Sequence, residues 1–210
     1  FIASLWQKHP NGIEWDNAKD EEKLLVVVAR IAKLLARLRG SINAWKEKWD
    51  NAEYDHTVPI KEMPDRLNQL LYNCARGHAA VCGRNAITQE DIGMILRIAL
   101  DSAPPNRIKT FHSLLDNGGT ISTNELIEKI KCSRPTALKE MEILKILELV
   151  EIEGDDEESV GRPEKVMKLK KDFEWFLSEE CFKLRGREKP AVASKQEDNL
   201  STESDAVLDF

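Results

Sequence analysis

Ser133, Arg134, Thr136 and Lys139 crowd one seven-residue stretch of this 210-residue chain, and their types suit contact with a polyanion. A guanidinium can form two parallel hydrogen bonds to a phosphate or to guanine. A threonine offers a hydroxyl and a methyl group, and a lysine acts as a point charge on phosphate. Ser133 stands two residues before Pro135, the order of a helix N-cap followed by a first-turn proline. The other side chains would then project from the start of a helix, with Glu140 also facing outward. Arg107 and Lys109 upstream, and Arg162 and Lys165 downstream, are further candidates for phosphate contacts.

Other chemistry has less support. Cys74, His78 and Cys82 fall at i, i+4, i+8 and share one helix face, but a metal site also needs a fourth ligand. Leu67, Leu70 and Leu71 lie on the same face, and free cysteine commonly behaves as a small apolar residue, so no metal site is expected. His9, His56 and His112 have no motif companions, and no Ser/His/Asp or paired-carboxylate arrangement stands out. Nowhere is there a Gly-x-x-x-x-Gly-Lys-Ser/Thr loop, so the N–H cradle and lysine that hold nucleotide phosphates are missing from this stretch. By itself the chain is expected to be neither an ATPase nor any other enzyme, with no catalytic residue and no cofactor of its own.

The elements that would position these residues are mainly helical. Leu24, Leu25, Val28, Ile31, Leu34, Leu35 and Leu38 fall at helical spacing, and Ile42, Trp45 and Trp49 extend the stripe past Gly40, predicting that the helix resumes to about Trp49. Residues 50–64 read as a loop. Pro64 opens a second helix that carries Leu67, Leu70, Leu71, Cys74, Ala75 and His78 inward and stops at Gly83. Thr88 with Asp91 is a capping signature for a third helix, broken by Pro104-Pro105. A helix then runs from Pro105 to about Leu115, followed by a short strand at Thr120-Ile121. Ser122 with Glu125 caps a helix with Leu126, Ile127 and Ile130 inward. The helix begun by Ser133 follows, then a strand at 149–152, a turn-rich tip at 154–163, a returning strand at 166–169, and a last helix capped by Asp172 with Phe173, Phe176 and Leu177.

This order from Pro105 to Leu177 reads as a winged helix-turn-helix with a small β-hairpin wing, in which the second helix docks in the DNA major groove. Its electrostatics are modest. Residues 105–147 carry seven Lys/Arg against five Asp/Glu, whereas residues 148–163 carry seven acids and one arginine. Four carboxylates at Asp155, Asp156, Glu157 and Glu158 would repel phosphate, which leaves Gly161-Arg162-Pro163 as the part of the wing able to approach DNA. The net charge of −6 argues against nonspecific coating of nucleic acid.

The helical half adds a resemblance. Glu62-Met-Pro-Asp-Arg66-Leu, Gly83-Arg84 and Ile87-Thr88-Gln-Glu-Asp91-Ile92 resemble the lid of AAA+ ATPases of the MoxR and replication types, over roughly residues 21–103. The resemblance implies that Arg66 occupies the place of the arginine that senses the nucleotide γ-phosphate, and that ATP and Mg are handled by an ATPase core in a longer parent protein. Several AAA+ initiators and helicases also end in a winged helix.

The expected organisation is an irregular segment over 1–16, a helical lid-like domain over 17–103, a winged helix over 104–182 and a disordered tail over 183–210. Trp6 and Trp15 would anchor the first segment, and Trp45 and Trp49 would pack between the first two long helices. The first residue is Phe rather than Met, so a fragment or processed chain is expected. Cysteines without a CxxC pair suggest reduced thiols and a cytoplasmic setting, and no apolar run reaches the roughly 18 residues of a membrane span. The expected partners are double-stranded DNA, a second copy of the chain or an upstream ATPase core, with no membrane. The expected function is that of a DNA-binding C-terminal region of an AAA+ ATPase in replication, helicase or mobile-element processes. The alternative is a stand-alone winged-helix transcription regulator whose Leu34, Leu35, Leu38, Ile42 and Trp45 stripe pairs between subunits. A third reading is a winged helix used for protein contact.

Overall fold

The computed structural model describes residues 3, 7, 10–45, 55–153 and 164–190 of the chain. Its first half is a helical unit. Helix α1 (Glu22–Leu38) buries Leu24, Val27, Val28, Ile31, Leu34, Leu35 and Leu38, an apolar stripe at helical period. Leu25, expected inward, is half-buried. Leu34, Leu35 and Leu38 lie within the core of a single chain, so they are not the subunit-pairing stripe that a dimeric regulator would need.

Over residues 41–45 the helix expected to resume after Gly40 is not formed, and residues 46–54 lie outside the described residues. Ser41 N instead donates to Ile60 O at 2.8 Å and Ile60 N donates to Ser41 O at 3.0 Å. Two short strands then pair antiparallel, β1 (Ala44–Trp45) with β2 (Asp55–His56). The apolar spacing beyond Gly40 therefore belongs to extended backbone satisfied across the gap, and part of the expected 50–64 loop is strand. Trp6 and Trp49 fall outside the described residues. Trp15 does anchor its segment: its indole Nε1 donates to Asp20 at 3.0 Å, and the Arg76 guanidinium lies 5.0 Å from its ring centroid.

Helix α2 (Pro64–Val81) starts on its proline and buries Leu67, Leu71, Ala75 and Ala79. These four are spaced by exact steps of i+4, which make the ridge that packs on α1 and α3. Leu70 is 52 % exposed, contrary to the expected inward face. It lies one step to the side of the buried ridge of Leu67, Leu71, Ala75 and Ala79. Gly83, at φ +78, takes the left-handed backbone that ends the helix. Helix α3 (Gln89–Asp101) begins at the expected cap, with Thr88 N donating to Asp91 Oδ2 at 2.7 Å.

The second half runs α4 (Pro105–Leu115), β3 (Thr120–Ser122), α5 (Thr123–Ile130), α6 (Arg134–Ile146), β4 (Val150–Glu153) and β5 (Val166–Leu169). The strands form an antiparallel sheet in the order β3-β5-β4, with Ile121 opposite Met167 and Ile152 also opposite Met167. Phe173, Phe176 and Leu177 lie on a 3-10 helix, Lys171–Leu177, rather than on an α-helix. Asp172 does not cap it; its carboxylate pairs with Lys33 Nζ at 2.7 Å. The cap belongs to Ser178, which accepts from Cys181 N and opens α7 (Glu179–Leu184). Leu184, within the expected tail, packs on the core, and residues 191–210 lie outside the described residues.

One core spans both halves. Buried side chains run continuously from Leu96 and Leu100 through Phe111 and Leu115 to Leu144 and Leu147, across the boundary expected at 103/104. Gly40 marks the seam, because a Cβ there would lie 2.6 Å from Leu147 Cδ2. Glu148 ties the end of α6 to Arg37 at 2.5 Å and to Lys61 at 3.0 Å.

Candidate nucleic-acid interface

The site is built on the α5–α6 pair. A reciprocal capping box starts α5: Glu125 N donates to Ser122 Oγ at 3.3 Å and Ser122 N donates to Glu125 Oε2 at 2.8 Å. The helix stops at Lys131, a non-glycine residue in the left-handed region at φ 52. That conformation reverses the chain within two residues and delivers Ser133 as the N-cap of α6, accepting from Thr136 N at 3.4 Å. Ala137, Met141 and Leu144 bury the inner face of α6. This burial fixes the helix rotation and turns its start toward solvent.

Ser133 and Lys139 are exposed, and Arg134 and Thr136 are half-buried. Arg134 Nη1 donates to Asn124 Oδ1 at 3.3 Å, tying the start of α6 to that of α5. Glu164 lies alongside, its Oε1 accepting from Asn124 N at 3.2 Å. Hydrogen bonds from Ser122 and Asn124, together with the Arg134 charge, hold the Glu164 carboxyl below the usual glutamate range. Arg134 therefore approaches any phosphate with a carboxylate beside it. Lys165 is half-buried, and its carbonyl accepts from Thr123 N and Thr123 Oγ1, both at 2.9 Å, which pins the returning chain to α5. Arg162 and the acidic segment 155–158 lie outside the described residues. Lys109 is exposed on α4.

Arg107 corrects the sequence expectation. It is buried at 7 % exposure, and its Nη1 donates to Leu38 O at 2.5 Å and to Gly40 O at 2.8 Å. A helix leaves its last carbonyls unpaired, and a cation there also complements the helix dipole. Arg107 thus completes the C-terminus of α1 and is withdrawn from any phosphate. Glu140 also differs from its expected outward place. It is half-buried; burial pushes its carboxyl up, while the charges of Arg107 and Lys139 pull it down.

Sequence reading missed Lys168, which is exposed on β5 between buried Met167 and Leu169. Period-two alternation could have found it. Its charge is countered by Glu151, its direct cross-strand neighbour. Arg66 is exposed in the first turn of α2, remote in sequence from the α6 residues. Among the described residues, no group of three or more His, Cys, Asp or Glu is placed to hold a metal ion, and no helix is long and apolar enough to cross a membrane.

No family model matches this chain, and no curated protein or solved structure matches it.

Proposed function

We propose that residues 104–182 form a winged helix-turn-helix that binds double-stranded DNA through the start of α6. The observation that carries this reading is the tight α5–Lys131–α6 corner, which leaves Ser133, Arg134, Thr136 and Lys139 at one accessible helix start. Side chains at that position of a helix-turn-helix reach base edges, and flanking cations such as Lys109, Lys165 and Lys168 supply phosphate neutralisation. Strands β4 and β5, which follow α6, pair antiparallel and join β3 in the order β3-β5-β4, an arrangement that supports reading them as a wing.

The chain as a whole is read as the lid and winged helix of a larger AAA+ ATPase in DNA replication, helicase or mobile-element processes. Support comes from the Thr88–Asp91 cap and the exposed Arg66 at the head of α2, where the lid resemblance expects them. In this reading ATP and Mg bind the parent's ATPase core, and the shared core between the two halves transmits lid movement to the DNA-binding unit.

The test is fluorescence anisotropy of a labelled duplex titrated with the chain at several salt concentrations. With about three phosphates neutralised, log K should fall with log salt at a slope of about −3. Absence of salt-dependent duplex binding overturns the DNA reading and favours a protein-contact role.

A further inference from the structure

An exposed thiol, an imidazole and a buried carboxylate line up where α2 meets α3. Cys82 Sγ lies 4.0 Å from His78 Nε2, and His78 Nδ1 lies 2.5 Å from Asp91 Oδ1. The Asp91 side chain is 0 % exposed. It also accepts from Thr88 N at 2.7 Å and from Arg84 Nη2 at 2.9 Å, so its position is fixed on three sides. A carboxylate can only accept, so the Nδ1 of a neutral His78 carries the proton and the Nε2 lone pair faces the sulfur. This is the order of a nucleophile, a base and a group that orients the base. The Arg84 guanidinium stands beside the thiol: burial opposes its charge, while its hydrogen bond to Cys82 and the Asp91 carboxylate raise its pKa. His78 and Cys82 open on a cleft of about 960 Å³ between α3 and α7, rimmed by Lys23, Arg97 and Lys183.

We propose that Cys82, His78 and Asp91 form a base-assisted thiol, a modification site that reacts with peroxides. His78 Nε2 takes the thiol proton, and the thiolate sulfur attacks one oxygen of hydrogen peroxide. The O–O bond breaks, and the departing hydroxide takes the proton back from the imidazolium. The products are the Cys82 sulfenic acid and one water, the sulfur having lost two electrons to the peroxide. Asp91 is a positioning residue that keeps the imidazole in the required tautomer. Asp91 also caps α3, but the Cys82 thiol has no part in that cap, and the other cysteines lack the arrangement. Burial pushes the Cys181 thiol up to about 12 and raises that of Cys132, and Cys74 is half-buried.

The experiment is alkylation of the intact chain by iodoacetamide at neutral pH, with the rate at each cysteine read by peptide mass spectrometry. Folded Cys82 should react about tenfold faster than the same residue in the chain unfolded by urea, because general-base assistance exists only in the fold. His78→Asn should bring the folded rate down to the unfolded one. A folded rate no higher than the unfolded rate overturns the proposal, and this comparison holds even if the variant fails to fold. A folded His78→Asn chain that alkylates at the parental rate also overturns it. With hydrogen peroxide and dimedone, the trapped sulfenic acid should appear at Cys82; equal trapping at Cys74 would contradict a site-specific thiol.

Discussion

Arg185 Nη2 lies 2.6 Å from His112 Nδ1, joining the end of α7 to α4. An arginine can only donate, so this contact requires His112 Nδ1 as an acceptor and therefore a neutral imidazole. Burial, with the charges of Arg185 and Arg187, lowers the His112 pKa from 6.5 to about 4, against smaller pulls from Asp116 and Asp101.

A pH dependence follows from that contact. The unfolded chain takes up a proton at His112 near pH 6.5, and the folded chain does so only near 4. The His112 contribution is therefore fully present above about 6.5 and is lost as pH falls from there toward 4. Allowing for partial solvent screening, the loss is about 1–2 kcal/mol. Thermal unfolding of the parent and His112→Gln at pH 7.5 and pH 5 should show a smaller acid destabilisation in the variant. Identical pH slopes would contradict the assignment.

Arg107 is expected to behave as a structural residue. Arg107→Ala leaves the Leu38 and Gly40 carbonyls unsatisfied and should cost about 2–3 kcal/mol in urea unfolding. Exposed Lys109 changed to alanine should stay within about 0.5 kcal/mol of the parent. A folded Arg107→Ala chain of parental stability but weakened DNA affinity would restore Arg107 to the interface.

Two glycines should respond with opposite signs. Gly119 has φ +86, and a Cβ there would lie 2.6 Å from Leu177 Cδ1; Gly119→Ala should destabilise by about 1–3 kcal/mol. Gly77 lies within α2 with open space around its missing Cβ. Gly77→Ala should stabilise by about 0.5–1 kcal/mol, since alanine has the better helix propensity. Denaturant midpoints decide both.

Local signals carried most of what the sequence revealed. The Ser122–Glu125 and Thr88–Asp91 boxes, Ser133 with Pro135, and Pro64 all rest on hydrogen bonds or dihedrals within four residues, and each forms where expected. The misreadings share a tertiary cause. Arg107 looks like any surface cation until α1 ends beside it, and Asp172 looks like a cap until Lys33 of α1 reaches it. The strands β1 and β2 were hidden because Ile42 and Trp45 fall at helical spacing, while their backbone partners lie about a dozen residues on. At the candidate interface, Ser133 and Lys139 were legible as outward; the Glu164 carboxylate near Arg134 was not, because 30 residues separate them in sequence.

Glu164 offers a gain-of-affinity test. In the proposed complex its carboxylate would compete with phosphate for Arg134 and repel the DNA backbone, so Glu164→Gln should tighten duplex binding by about two- to fivefold at low salt. The gain should shrink as salt rises, since screening weakens the removed repulsion. Weaker binding by a folded Glu164→Gln chain would place the DNA elsewhere.

The assignment of the α6 start as the DNA contact is tested most directly by comparing the parent with Arg134→Ala/Lys139→Ala in the same duplex titration. Both side chains stand on the outer face of α6, so the double variant should keep the parental far-UV circular dichroism. Its affinity should drop by about tenfold or more, with a salt slope shallower by about 2. Unchanged affinity and slope in the folded double variant would contradict the assignment.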